Sequence, residues 1–155
     1  MIPLSTRMRP SRLEDFVGQE HFMYPGSLFY NSIKNKTFDS AIFFGPSGTG
    51  KTTLARIISK EMDGKFFEIN ASTTGTKELK ELIERAQDSF YGLEKKTTYV
   101  YIDEFHRWNK LQQDSLLKAL EDGVIKFIGS TTENPYFAVN NAIISRVRNI
   151  YEFKR

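Results

Sequence analysis

The chain has 155 residues, of which 39% are hydrophobic and 26% charged, with a formal net charge of +3; its 13 Phe and 7 Tyr residues argue against a disordered chain. It contains no cysteine, which excludes disulfides and thiolate metal sites. No run approaches the roughly 20 apolar residues of a membrane span, and the segment 1–16 lacks the apolar core of a signal peptide, so we expect a cytoplasmic protein without a membrane partner.

Two parts are expected along the chain. Residues 1–36 are predicted to form an N-terminal arm followed by a short helix, and residues 37–155 a compact core. The arm begins with prolines and arginines in no periodic pattern. The helix is predicted over 27–36, because Ser27 is a favourable N-cap. Leu28 and Ile33 are predicted to face inward.

The core alternates short apolar, β-prone segments with segments that carry apolar residues at helical spacing. We predict strands over 40–44, 65–70, 97–102, 124–130 and 148–153. We predict helices over 51–62, 77–91, 109–121 and 140–145. This alternation predicts an α/β fold, a parallel sheet covered on both faces. Ligand sites in such sheets lie at the carboxyl ends of the strands, so distant segments are expected to meet there.

The stretch GPSGTGKT between the first core strand and its helix matches the phosphate-binding loop G-x-x-x-x-G-K-[ST]. Its glycines let backbone N–H groups approach phosphate oxygens, and the helix start directs its positive dipole end at the same anion. Lys51 is placed to reach the β- and γ-phosphates, and the Thr52 hydroxyl to bind Mg²⁺. The alternative is a glycine-rich turn that binds nothing. The predicted nucleotide contacts from this loop are Pro46, Ser47, Gly48, Thr49, Gly50, Lys51, Thr52 and Thr53.

A mostly apolar strand ends in two adjacent carboxylates, Asp103 and Glu104. This is the Walker B pattern, in which a buried strand delivers a carboxylate to the Mg²⁺, directly or through water. Neighbouring side chains on an extended chain point in different directions, so Asp103 is predicted to face the metal and Glu104 the attacking water as general base. The alternative is a strand-terminal acidic pair that faces solvent.

Two weaker signals follow. The segment 129–134, Gly-Ser-Thr-Thr-Glu-Asn, ends the fourth strand with hydroxyls that can orient a water molecule; from spacing alone, a polar strand exit is favoured. The segment 145–148, Ser-Arg-Val-Arg, offers an arginine that can reach a phosphate bound by a neighbouring subunit. From spacing alone, a solvated charge is favoured there.

Several blocks of sequence together resemble one family. They are Arg9–His21, Gly45–Arg56, Ile102–Asp114, Ile128–Pro135 and Ser145–Arg146. In this order they resemble the AAA+ ATPases of the RarA/MgsA type, the replication-associated recombination proteins, whose eukaryotic counterpart is the Werner helicase-interacting ATPase. Clamp-loader subunits and the RuvB branch-migration motor are more distant relatives. The resemblance covers nearly the whole chain, and its specific blocks are D-E-x-H-R-x-N-K and T-T-E-N-P.

The resemblance implies roles that spacing alone leaves open, and its Walker A and Walker B positions coincide with those above. Thr132 falls where these ATPases place sensor 1, with Thr131 as the alternative. Arg146 falls at the arginine finger. Val17 and Gly18 match the segment whose backbone contacts adenine.

The implied fold is the AAA+ P-loop αβα sandwich with a five-stranded parallel sheet of order 5-1-4-3-2. The implied cofactors are ATP and Mg²⁺. The implied biology is ATP-driven action on DNA at replication forks, ends or single-strand junctions, close to the nucleoid in a bacterium. Single-stranded-DNA-binding protein is an implied partner, and the full-length proteins are implied to be homo-oligomers.

The chain departs from the family at Ser47, Phe105, Trp108 and Val147. The family continues into a helical lid with the sensor 2 arginine and a C-terminal oligomerisation region, neither of which lies within 1–155. We therefore expect an ATPase core without its lid that hydrolyses ATP slowly. A monomer is one of the oligomeric states expected for this chain by itself. The alternatives are a clamp-loader-like or RuvB-like subunit, and a repair scaffold that binds ATP without needing hydrolysis. A P-loop kinase would need an acceptor pocket that the sequence does not show.

Overall fold

The computed structural model describes residues 10–147 and 149–155. The strands are β1 Ala41–Phe44, β2 Lys65–Asn70, β3 Thr98–Asp103, β4 Ile125–Thr131 and β5 Ile150–Glu152. The α-helices are α1 Leu28–Lys34, α2 Lys51–Glu61, α3 Thr76–Tyr91, α4 Lys110–Glu121, α5 Pro135–Ala138 and α6 Asn141–Val147. Two short 3₁₀ turns, Leu13–Asp15 and Phe105–Arg107, complete the described elements.

The five strands form one parallel sheet of order β2-β3-β4-β1-β5. Read from the other edge, this is the predicted order 5-1-4-3-2, which is confirmed. In the register, Phe44 of β1 lies beside Thr131 of β4, and Ile102 of β3 lies beside Gly129 of β4. The carboxyl ends of these three strands are therefore neighbours.

Strand alternation separates the core into two layers, one on each face of the sheet. Val100 and Ile102 of β3 pack on the face covered by α3, α4 and α6. Tyr99 and Tyr101 point to the opposite face, which α1 and α2 cover. Helices on both faces leave the ends of the sheet as the place for a ligand.

Local chemistry sets where two of the helices begin. The Ser27 hydroxyl accepts the N–H of Tyr30 at 3.1 Å and starts α1. At α4, Asn109 and Gln112 form a reciprocal capping box, with side chain to backbone distances of 2.9 and 3.0 Å. These pairs satisfy backbone donors that the first helical turn leaves free.

The structure corrects several expectations. Leu28, predicted to face inward, is 91% exposed, whereas Phe29 and Ile33 are buried, because an i,i+4 pair shares one helix face and Leu28 lies beside it. Where a turn at Pro135 was predicted, the chain forms the single-turn helix α5, capped by Asn134. Neither 3₁₀ turn was predicted. The first nine residues of the arm, and Arg148 at the start of the predicted fifth strand, lie outside the described residues.

Among the described helices, none combines the length and apolar character that crossing a bilayer requires.

Candidate functional site

A cavity of about 450 Å³ opens at the carboxyl ends of β1, β3 and β4. Its size lies within the range typical of small-molecule sites. The predicted site residues that line it are Ser47, Gly48, Gly50, Lys51, Thr52, Thr53, Asp103, Glu104, Thr131 and Thr132. The fold thus brings the phosphate loop, the paired carboxylates and both sensor 1 candidates together.

Two glycines of the phosphate loop occupy positions where a side chain would clash with neighbouring residues. Gly45 has φ of 142°, and a Cβ there would lie 2.3 Å from the carbonyl oxygen of Phe153. Gly50 has φ of 93°, and a Cβ there would lie 2.9 Å from the ring of Phe16. Both backbones adopt conformations that L side chains rarely take. The loop therefore needs these glycines to pass close to its neighbours before α2 begins.

Lys51 is held inside this loop. Its ammonium donates hydrogen bonds to the carbonyl oxygens of Gly45 and Pro46, and the residue is only 8% exposed. Burial lowers the pKa of Lys51, and the nearby negative charge of Asp103 opposes that shift. A buried cation facing neutral carbonyls favours the arrival of an anion such as a phosphate.

The β3 end presents both carboxylates to the cavity. The Asp103 carboxylate accepts the backbone N–H of Glu104 at 2.9 Å. Glu104 itself has a left-handed backbone, with φ of 52° and ψ of 43°. For a residue other than glycine this conformation costs about 1–3 kcal/mol and tends to persist at functional sites. The strained position is consistent with a functional role for Glu104.

At the end of β4 the two threonines have different environments. Thr131 is 1% exposed, and its hydroxyl accepts the Glu133 N–H at 3.0 Å and lies 2.8 Å from Nδ1 of His106. Thr132 is exposed and lines the cavity. The Thr131 hydroxyl is therefore committed to protein partners, and Thr132 is the one open to a ligand.

Sequence reasoning assigned no role to His106 and did not identify Tyr101 as a site residue, yet both line the cavity. The Tyr101 phenol oxygen accepts the Thr52 hydroxyl at 3.2 Å. Each of these residues contacts a residue of another element. His106 follows β3 and contacts Thr131 of β4, while Tyr101 lies within β3 and contacts Thr52 of α2. The sequence did contain a signal for Tyr101. Tyr101 lies two residues before Asp103, and such residues share one face of a strand.

The predicted adenine contacts, Val17 and Gly18, line a second cavity that shares Gly48, Gly50 and Thr53 with the first and also includes Thr49. The next residue, Gln19, attaches this segment to Lys154. The Gln19 side-chain amide accepts the N–H of Lys154 at 2.8 Å and donates to the carbonyl of Lys154 at 2.7 Å. The second cavity therefore continues from the phosphate loop.

Arg146 lies apart from both cavities. Its guanidinium donates to the carbonyl of Leu120 at 3.1 Å and lies 3.9 Å from the carboxylate of Asp39. Asp39 precedes β1, so this contact is at the amino end of a strand whose carboxyl end leads to Lys51. Arg146 therefore cannot act on a phosphate bound by its own chain without a large rearrangement.

Comparisons with known proteins agree with this geometry. Residues 8–139 match the family model of the Holliday junction DNA helicase RuvB P-loop domain. Replication-associated recombination protein A of Haemophilus influenzae is 45% identical over 152 residues, which cover 98% of this chain and 33% of that protein. The ATPase WRNIP1 of Dictyostelium discoideum is 43% identical over 147 residues, covering 94% and 16%.

Among solved structures, the Thermotoga maritima RuvB Holliday junction branch migration motor superposes with a TM-score of 0.70 at 27% identity, covering 94% of this chain and 48% of that one. The chain spans about a third or less of the length of the two curated relatives described above. The chain therefore belongs to the RuvB P-loop domain family of AAA+ ATPases, and within it to the type of the replication-associated recombination proteins and WRNIP1.

Proposed function

We propose that the chain is the ATP-binding and ATP-hydrolysing module of a replication-associated recombination protein that acts on DNA. One observation carries this proposal: the ends of three strands bring a phosphate loop, a pair of carboxylates and exposed Thr132 to the same cavity. Nucleotide binding alone does not require a second carboxylate beside the one that holds the metal. Glu104 thus favours hydrolysis over a binding scaffold.

The residues present fit Mg²⁺. The Thr52 hydroxyl and the Asp103 carboxylate are the oxygen donors that this cation prefers, and Mg²⁺ usually takes one or two carboxylates and completes its shell with phosphate oxygens and water. The described residues contain no group of three or more His, Asp or Glu side chains that would make a protein-only metal cage. Bound there, Mg²⁺ would neutralise phosphate charge.

Each proposed catalytic residue has a separate task. Lys51 leaves its loop carbonyls to bind the β- and γ-phosphates. Glu104 accepts the proton of the attacking water. Thr132 orients that water or the γ-phosphate, and Arg146 reaches the phosphate of a neighbouring subunit.

The adenine would lie in the second cavity against Val17 and Gly18. DNA, single-stranded-DNA-binding protein and further copies of the chain are the proposed partners, because the relatives include proteins named for replication-associated recombination and for branch migration. Forks, ends and single-strand junctions are the proposed DNA substrates.

The direct test is phosphate release by the 155-residue chain with ATP and Mg²⁺, with and without forked DNA. We expect slow hydrolysis that forked DNA stimulates, and none above background for Lys51→Ala, which removes the cation of the phosphate loop. Binding of ATP without any hydrolysis, with or without DNA, would favour the scaffold. Failure of the wild-type chain to bind ATP would refute the proposal.

A pair of substitutions separates the two sensor candidates. Thr131→Val removes the hydroxyl partner of His106 and of the Glu133 N–H, so we expect it to lower the free energy of unfolding by about 1–3 kcal/mol. Thr132→Val, at an exposed position, should change stability by about 0.5 kcal/mol or less. It should nevertheless reduce kcat about a hundredfold, the typical effect of losing one positioned polar group.

Urea unfolding and phosphate release on both variants measure these effects. The assignment of Thr132 would be wrong if Thr131→Val kept its stability and lost hydrolysis while Thr132→Val hydrolysed ATP normally.

A further inference from the structure

The Thr52 hydroxyl has a specific protein partner. It donates to the phenol oxygen of Tyr101 across 3.2 Å. Tyr101 is 1% exposed, and its ring stacks with Phe66 at a centroid separation of 6.3 Å. Because β3 alternates its side chains, Tyr101 and Asp103 lie on the same face of the strand, and both line the phosphate cavity. The buried ring holds the phenol oxygen in one place beside the start of α2.

A hydroxyl that gives a lone pair to a cation has to direct its hydrogen at another acceptor. Such an acceptor fixes the orientation of the ligand and raises its basicity, as partners behind metal ligands generally do. Within the described ranges, the structure shows Tyr101 in this position for Thr52. A phenol is uncharged near pH 7, so Tyr101 accepts the hydrogen bond without adding a charge to the site.

We propose that Tyr101 is a positioning residue for Mg²⁺ in the nucleotide site: it accepts the hydrogen of the Thr52 hydroxyl and so turns the lone pairs of Thr52 Oγ1 toward the cavity. This inference rests on the proposed function, since it requires a magnesium–nucleotide complex in the cavity. Tyr101 does not touch the nucleotide and transfers no proton. It acts only through Thr52.

The test compares two tyrosines of the same strand. Tyr101→Phe deletes one hydroxyl and keeps the buried ring. Tyr99→Phe is the matched control, because Tyr99 is also buried, lies on the same face of β3 and donates to the carbonyl of Phe38 at 3.0 Å, away from the phosphate cavity. Binding of a fluorescent ATP analogue is titrated with Mg²⁺ and, separately, measured in excess EDTA.

We expect Tyr101→Phe to raise the half-saturating Mg²⁺ concentration about tenfold, the lower end of the usual effect of losing a partner behind a metal ligand. Its affinity for the analogue in EDTA should stay within about twofold of wild type, because the lost contact acts on the metal. Tyr99→Phe should match wild type in both measurements. Equal losses with Mg²⁺ and in EDTA would show a merely structural role and overturn the inference.

A double-mutant cycle tests whether the effect passes through Thr52. In a Thr52→Ala background the hydroxyl is absent, so adding Tyr101→Phe should cause no further rise in the Mg²⁺ requirement. A rise of the same size in both backgrounds would overturn the inference. If wild type binds the analogue and Tyr101→Phe shows the same Mg²⁺ dependence of binding as wild type, the inference is overturned without refuting the proposed function. Wild type that binds no nucleotide would refute the proposed function and the inference with it.

Circular dichroism establishes first that each variant is folded. Should Tyr101→Phe not fold, wild-type protein labelled with 3-fluorotyrosine provides a second measurement. A tyrosine ¹⁹F resonance should shift when Mg²⁺ is added to the ATP complex. No Mg²⁺-dependent shift of any tyrosine resonance would overturn the inference.

Discussion

Replacing Glu104 by glutamine is expected to lower kcat for ATP hydrolysis by about 10²–10⁴, the usual contribution of a positioned general base. Glutamine keeps the size and polarity of the side chain but cannot take the proton of the attacking water. The left-handed backbone at this position is no harder for glutamine than for glutamate to adopt. Affinity for ATP should therefore stay within about threefold, since the interaction lost is one that matters in the transition state.

The measurements are single-turnover phosphate release and calorimetric ATP binding. Glu133→Gln is the matched control, because Glu133 is an exposed carboxylate that lines the same cavity from the β4 side and has no assigned role. Its loss changes the charge of the cavity by the same amount. If both variants lost hydrolysis equally, the effect would be one of net charge, and the general-base role of Glu104 would be refuted.

Arg146→Ala is expected to reduce hydrolysis by about 10³–10⁵ under conditions where copies of the chain associate, the range measured for arginine fingers. The structure places Arg146 away from the phosphate cavity of its own chain, so a catalytic contribution requires a second copy. The specific activity of wild type should consequently rise with protein concentration, whereas that of Arg146→Ala should stay low throughout. Phosphate release over a concentration series measures both.

Mixing two inactive variants makes this test sharper. Lys51→Ala lacks the cation of the nucleotide site but keeps Arg146, while Arg146→Ala lacks the arginine but keeps an intact nucleotide site. Their mixture should therefore recover part of the wild-type activity. The control is Lys126→Ala, because Lys126 pairs with the same Asp39 carboxylate at 2.9 Å and its loss perturbs the same surface. Equal activity of Arg146→Ala and wild type at every concentration would refute the role in trans.

The phosphate loop, the strand before the paired carboxylates and the parallel sheet were all predictable, because each depends on local pattern. A phosphate loop is defined by backbone conformation at successive residues, and two of its glycines indeed lie where no side chain fits. The strand order was implied by the family resemblance, since periodicity restricts topologies but does not order strands. The orientation of α1 was partly wrong. Leu28 and Phe29 are adjacent apolar residues, and only their contacts decided which one is buried.

The sequence by itself determined that this chain has a loop for phosphate, a strand that ends in two carboxylates and an alternating α/β architecture, because these follow from residues close together in the chain. Only the tertiary structure decided which hydroxyls have partners. Thr131 bonds His106, which is 25 residues away in sequence, and Thr52 bonds Tyr101, which is 49 residues away. It also decided that Arg146 lies far from its own phosphate site. No local pattern encodes such pairs, because the order of strands in the sheet brings them together.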